Sequence, residues 1–494
     1  NFINKLNMRT LSNKIINKLL ANKNTANIGF KKNNKWNWIT NKQLINSVVN
    51  CRNILQEHKI DSEDRIAYKG SNSINWISWN LATNSLGATW VPMYADQSVN
   101  YSNFIIKDCN PRLLIQDENL EKNSNVQILS NDINYCENLD NNFNFIKPCN
   151  DLATLIYTSG TTGDPKGVML TNENILSNIE SVHKLFENSD KTRSLNILPW
   201  AHIYSQTSEL YYSLLHNNSL AICSNKTQFL NEMKEIKPEV LYLVPRVLEL
   251  IKEKTNMFDK PIIKNILPLI LSRAFGGNLK YIFSGGAKLN NETKKFYENN
   301  GIIICEGYGC SETSPMISVN HYNNPRNIDS VGKILDNVIV EIVNNEIQVS
   351  GPNVMIGYWN NVEKTNEVIV ERNGKKWYKT GDSGEIKDGF LYINSRINDN
   401  YKLSNGKFVN VEELESKIKK YISGPFIVFG ENMKYNHIIC TEPIDLTKIN
   451  KNIDNYLKIN NYHKINIDDF EKFYTPKMSV KRKKLIDYII NPIY

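Results

Sequence analysis

At 494 residues the chain is too long for one hydrophobic core, and a domain scale of about 150 residues predicts three or four packed units. Hydrophobic residues at 41% and charged residues at 22% describe an ordinary soluble globular protein. Lysine plus arginine number 59 against 51 for aspartate plus glutamate, and the resulting +8 is too diffuse to mark a nucleic-acid surface. It suits phosphorylated small molecules or an anionic membrane. The eight cysteines form no CxxC pair and no metal-ligand spacing, which reads as reduced, mostly buried thiols. No apolar run reaches the roughly 18 residues of a membrane span. The longest, 262–271, is interrupted by Lys264, Asn265 and Pro268.

In chain order, residues 1–56 contain no Asp or Glu, and within 1–35 Lys and Arg recur at helical intervals between Leu and Ile. Three readings stay open for 1–35: a basic arm, a mitochondrial-type presequence, and a first amphipathic helix. From Trp36 the text becomes structured. A short strand at 38–40 leads into a helix at 42–55, with Leu44, Ile45, Val48, Val49, Ile54 and Leu55 at helical spacing. A turn at 61–64 enters a strand, 76–86 is helical, and 87–92 is the next strand. Alternation of this kind runs to about residue 320 and predicts α/β layers with largely parallel sheets. Beyond Ser330, short strands at 338–343, 346–349, 384–387 and 390–393 predict a β-rich subdomain. The stretch from Lys402 onward reads as a small α+β unit with a helix at 411–421. There are no internal repeats.

Five turns carry the chemistry. After the apolar strand 152–156 comes YTSGTTGDPKGV (157–168), a loop built to wrap a polyphosphate. Its glycines let backbone N–H groups approach closely, and its hydroxyls and Lys166 add donors and positive charge. It is not a Walker loop, because Lys166 follows Asp164-Pro165 and precedes Gly167. Ser284-Gly285-Gly286-Ala287 follows another apolar strand; small residues at a strand's carboxyl end leave room for a flat ligand. In Gly307-Tyr308-Gly309-Cys310-Ser311-Glu312 an aromatic between glycines can stack on a purine, and a hydroxyl beside a carboxylate can hold Mg2+. Tyr378-Lys379-Thr380-Gly381-Asp382 places a carboxylate in a tight turn, able to accept two ribose hydroxyls. Leu198-Pro199-Trp200-Ala201-His202 adds a histidine that, by itself, is more often a core residue than a catalytic one.

In this order and spacing the motifs resemble the adenylate-forming superfamily, and within it the AMP-forming long-chain fatty acyl-CoA synthetases. SGPNVMIGYW (350–359) and RINDNYKLSNGKF (396–408) belong to the same resemblance, which covers about 36–494. It implies a large N-terminal domain of layered α/β sheets plus a β-rich subdomain (36–395), a hinge (396–400) and a small α+β C-terminal lid (401–494), with the active site at their interface. It also implies ATP phosphates at Thr158, Ser159, Gly160, Thr161, Thr162, Gly163 and Lys166. Adenine would lie near Gly285, Gly286, Ala287, Tyr308 and Gly309, Mg2+ at Glu312 beside Ser311, and ribose at Asp382 and Arg396. His202 would lie by the acyl carboxylate and the CoA thiol route. Substrates would be a long-chain fatty acid, ATP and CoA. Peripheral membrane contact is a family expectation; cytoplasmic, membrane-associated and mitochondrial placements all stay open, as does the oligomeric state.

Three departures stand out. Ser311 replaces the usual Thr and keeps its hydroxyl. At the hinge, Ser395-Arg396-Ile397-Asn398-Asp399 lacks the family's glycine and one charge. Near the end, Thr475-Pro476-Lys477-Met478-Ser479-Val480-Lys481-Arg482 puts Ser479 where the resemblance calls for a lysine that contacts the acyl and α-phosphate oxygens. A serine there predicts adenylation slowed by about 10²-fold unless Lys477 or Lys481 takes the lysine's part. Two alternatives to a CoA ligase follow: a homologue that binds fatty acid and nucleotide with impaired turnover, and an acyl-AMP ligase serving a carrier protein.

Overall fold

The computed structural model describes residues 10–117, 126–130, 151–158, 165–186, 191–255, 266–451, 453–474 and 480–490. They cluster into two compact units. The larger takes the described residues up to Ile339 together with Val349–Tyr378, and the smaller takes Val340–Gln348 and everything described from Lys379 onward.

The larger unit contains two sheets. In one, the strand order is β2 (Lys35–Thr40), β1 (Ala26–Lys32), β10 (Ser219–Ile222), β9 (Arg193–Asn196), β11 (Val240–Leu243), β12 (Tyr281–Ser284), β13 (Ile303–Gly309), β14 (Met316–Val319) and β15 (Lys333–Ile334). From β1 through β13 the pairings are parallel, and the two outer turns at β2 and β14 are antiparallel. The other sheet runs Gly357–Tyr358, β8 (Lys166–Thr171), β7 (Leu152–Thr158), β4 (Thr89–Met93), β3 (Arg65–Lys69), β5 (Leu113–Gln116) and β6 (Ile128–Ser130). Its centre is parallel, while β7 and β8 pair antiparallel with Thr158 opposite Lys166. The expected alternation and largely parallel pairing are therefore present.

Within 1–35 the structure has an amphipathic helix. Leu11–Ala21 starts at a Thr10 cap and buries Leu11, Ile15, Ile16 and Leu19. Lys14 and Lys18 take the outer faces, Lys14 against Glu180 at 2.5 Å. Strand β1 then joins the sheet, so the folded chain begins before Trp36. The acid-free composition concealed an ordinary amphipathic pattern whose polar positions happen to be basic.

Helix Asn41–Glu57 opens on a reciprocal capping box between Thr40 and Gln43. Helix Ile74–Ser85 is buried on every side and places Trp76 edge-on to Trp90, centroids 5.3 Å apart, and to Trp200 at 5.6 Å. Such pairs add about 0.5–1.5 kcal/mol each beyond the area they bury. Trp76 thereby ties β4 of one sheet to the 198–202 turn of the other.

In the smaller unit, strands Phe426–Phe429, Asn436–Cys440 and Ile459–Lys464 form a sheet with a core on each face. Alternation along the strands sends Val428 and Ile438 to the cluster with Leu414 and Ile418 of helix Val411–Lys419, and Ile427 and Ile439 to the cluster with Phe470 and Leu485. The six described cysteines are all free thiols, four of them buried.

Candidate active site

Because β9, β11, β12 and β13 lie side by side and parallel, their carboxyl ends share one edge, where ligands of open α/β sheets bind. Three of the motif turns leave from that edge: 198–202 after β9, 284–287 after β12, and 308–312 at the end of β13. Gly286 has φ +85°, a conformation that glycine adopts without cost, and a side chain at Gly285 would stand 3.2 Å from the Tyr204 ring. At Gly309 a Cβ would fall 1.7 Å from the Pro315 carbonyl oxygen, so only glycine permits the turn that presents Ser311 and Glu312.

His202 caps the short helix Ile203–Ser205, and its Nδ1 accepts from the Tyr204 N–H at 3.1 Å. That contact leaves the neutral ring its proton on Nε2. The Tyr204 hydroxyl in turn donates to the Phe283 carbonyl at 3.1 Å, joining the histidine turn to the strand that carries Ser284.

Lys166 and Glu312 are brought together by the segment 355–359. Its Met355 N–H donates to the Glu312 carbonyl at 2.9 Å, and its Trp359 N–H donates to the Gly167 carbonyl at 2.7 Å. Between the two charges stands Tyr358. Its hydroxyl donates to Glu312 Oε1 at 2.8 Å, and the Lys166 ammonium lies 5.1 Å from its ring centroid. Burial and the Glu312 carboxylate hold the Tyr358 phenol far above the usual range, so it is a permanent donor. The Ser311 hydroxyl beside Glu312 is 1% exposed and has no hydrogen-bond partner among the described residues. An oxygen-lined corner with one carboxylate and one unspent hydroxyl fits a hard divalent cation that arrives already held by phosphates.

A second tie steadies the strands on either side of the phosphate loop. The Tyr157 hydroxyl donates to Asp108 Oδ2 at 2.6 Å, while the Asp108 carbonyl accepts from Trp359 Nε1 at 3.1 Å and Asn360 Nδ2 at 3.0 Å. Under the 308–312 turn, the buried Lys294–Glu306 pair meets at 2.5 Å, with Glu306 accepting from the Leu289 N–H at 3.0 Å.

In the smaller unit, Asp382 and Arg396 face each other across an antiparallel hairpin and meet at 3.0 Å. Gly381 at φ +72° makes the turn, and Arg396 Nη1 also donates to the Thr380 carbonyl at 2.8 Å. Arg482 is taken by Glu415 at 2.8 Å. Lys481 is half-buried, and burial followed by Lys484 lowers its pKa; among the described residues it forms no ion pair. Ser159, Gly160, Thr161, Thr162, Gly163, Lys477 and Ser479 lie outside the described residues.

The structure thus joins Lys166 with Glu312, and Asp382 with Arg396. Sequence reasoning missed Tyr358 and Asp108. The SGPNVMIGYW match marked the right segment for Tyr358, and nothing local singles out Asp108.

This fold is that of the adenylate-forming enzymes. It matches O-succinylbenzoate coenzyme A synthetase (MenE) from Bacillus subtilis in complex with AMP, at a TM-score of 0.79 and 21% identity over 96% of this chain and 98% of that one. ATP-bound MatB from Rhodopseudomonas palustris matches at 0.79 and 22%, over 96% and 98%. The chain belongs to the AMP-binding enzyme family, whose profile matches residues 21–359. Curated relatives include the long-chain-fatty-acid–CoA ligase FadD15 of Mycobacterium bovis, 26% identical over 431 residues covering 73% of this chain and 70% of that protein. Long chain acyl-CoA synthetase 3 of Arabidopsis thaliana is 28% identical over 470 residues, covering 77% and 70%.

Proposed function

We propose that the protein activates a long-chain fatty acid with ATP, releasing pyrophosphate, and passes the acyl group from the adenylate to CoA, releasing AMP. The observation that carries this reading is the Lys166–Tyr358–Glu312 constellation beside the phosphate loop, in a chain whose relatives are named as long-chain acyl-CoA synthetases.

A fatty carboxylate is a poor acyl donor because its leaving group would be oxide. Attack on the α-phosphorus of ATP expels pyrophosphate and turns that oxygen into the bridge of an acyl-phosphate anhydride, from whose acyl carbon the CoA thiol displaces AMP. Both reactants of the first step are anions, so the site must offset their repulsion and hold an in-line approach. Lys166 and the loop amides supply positive charge at the phosphates. Glu312 with Ser311 would hold Mg2+, which supplies charge neutralisation when bound with ATP. Asp382 and Arg396 take the ribose hydroxyls, Tyr308 and the Gly285–Gly286 turn take adenine, and His202 stands at the carboxylate and thiol. Residues 396–400 serve as the hinge on which 401–494 changes pose between the half-reactions.

Ser479 favours one second reading, a binder of fatty acid and nucleotide that turns over slowly. The test is pyrophosphate release from ATP and Mg2+ over fatty acids of increasing length, on the natural chain and on Ser479→Lys. Fatty-acid-dependent release by the natural chain supports activation. Release only from Ser479→Lys supports the slow binder, and release from neither chain overturns the proposal.

A further inference from the structure

Three carboxyl side chains among the described residues are at most 2% exposed: Glu209, Glu232 and Glu306. Glu232 has Lys31 at 3.6 Å, and Glu306 has Lys294 at 2.5 Å. Glu209, wholly buried, has no cation among the described residues. It lies on a π-helical turn, Gln206–Tyr211, which begins four residues after His202. Such turns are rare and concentrate at functional sites.

What Glu209 does hold is an amide chain. Its Oε2 accepts from Asn196 Nδ2 at 2.5 Å, and Asn196 Nδ2 also donates to the Leu198 carbonyl at 2.9 Å. Asn72 Nδ2 donates to Asn196 Oδ1 at 2.6 Å and to the Leu198 carbonyl at 2.8 Å, while Asn72 Oδ1 accepts from the Trp200 N–H at 2.9 Å. The backbone between β9 and His202 is thus pinned by two asparagines that are themselves pinned by one carboxyl. The other titratable groups facing Glu209 are the Tyr204 and Tyr242 hydroxyls, both raised above the usual range chiefly by burial. Neither offers positive charge.

We propose that Glu209 is a positioning residue: through Asn196 and Asn72 its buried carboxyl fixes the 198–202 turn that presents His202, and deprotonation of that carboxyl frees the turn. Burial raises Glu209 to about 8, against partial relief from the Asn196 donor. At neutral pH it is therefore mostly uncharged, which suits a buried carboxyl with no cation among the described residues. Above about 8 it becomes a buried charge with no cation among the described residues, and the cheapest relief is to open the turn toward water.

The sign follows from proton linkage. The native carboxyl keeps its proton between the usual carboxylate value and about 8 while the unfolded one has lost it, so stability falls as pH rises through that window. One proton weakens the folding equilibrium by up to about tenfold per pH unit. The experiment measures urea unfolding from pH 5 to 9 and fatty-acid-dependent pyrophosphate release from pH 6.5 to 9.5, on the natural chain and on Glu209→Gln. Glutamine mimics the protonated acid and keeps the acceptor for Asn196.

The expected result is a stability slope flatter in Glu209→Gln by up to one proton, and an alkaline loss of rate above about pH 8 that disappears in that variant. Glu209→Ala, with no acceptor, should be slow at every pH. Equal stability slopes in the natural chain and Glu209→Gln overturn the proposal, as does an alkaline limb that persists in the variant. The rate assay rests on the proposed activity and the unfolding assay does not. A chain inactive at every pH with the predicted slope difference would sink the activity while leaving the carboxyl's buried, protonated state standing.

Discussion

Replacing Tyr358 by phenylalanine removes one hydroxyl and leaves the ring in place under Lys166. The lost contact is a 2.8 Å hydrogen bond to a carboxylate from a side chain 5% exposed. Hydrogen bonds to charged groups contribute about 1.5–3 kcal/mol, and each ~1.4 kcal/mol is tenfold, so the rate constant should fall about 10- to 100-fold if Glu312 must be held in this pose for the first step. The assay is pyrophosphate release at saturating fatty acid with Mg2+ varied. Tyr358→Phe should need more Mg2+ for its half-maximal rate, because an unrestrained carboxylate binds it less well. Tyr358→Leu also removes the ring below Lys166, about 0.5–1 kcal/mol more, and should be roughly threefold slower again. A phenylalanine variant within about twofold of the natural chain at every Mg2+ concentration would refute the reasoning.

Asp108→Ala strips the Tyr157 hydroxyl of its acceptor and should cost about 1–3 kcal/mol in urea unfolding, most of it recovered in Asp108→Asn, whose amide oxygen still accepts. Lys294→Met leaves Glu306 buried and unpaired and should cost about 3–5 kcal/mol by the same measurement. Adding Glu306→Gln should restore part of that, since the amide is neutral and still accepts from Leu289. Arg396→Ala frees Asp382 from a half-exposed partner and should raise the KM for ATP with little change in stability, read from initial rates and an unfolding curve.

The parallel α/β core was legible because local periodicity suffices for it. An apolar run ahead of the small-residue turn at 284–287 marked β12, and once its neighbours lie parallel the turns at their carboxyl ends must meet at one edge. Contacts between distant residues were not legible. Tyr358 and Glu312 are 46 residues apart, and Tyr157 and Asp108 are 49 apart. No local pattern says which tyrosine will reach which carboxylate. Glu209 was hidden for another reason: nothing in HIYSQTSEL marks a glutamate for the interior, and only tertiary burial makes it an interior acid. The helix Leu11–Ala21 was obscured by composition, since a run without acids reads equally as an arm, a presequence or an amphipathic helix.

The most direct test of the central claim incubates the natural chain with ATP, Mg2+, CoA and a long-chain fatty acid, and measures AMP and acyl-CoA together, with premade acyl-adenylate plus CoA in parallel. The account predicts AMP and thioester in equal amounts, both requiring fatty acid and ATP, and thioester from the adenylate alone. No thioester in either tube, or AMP formed without fatty acid, would contradict it.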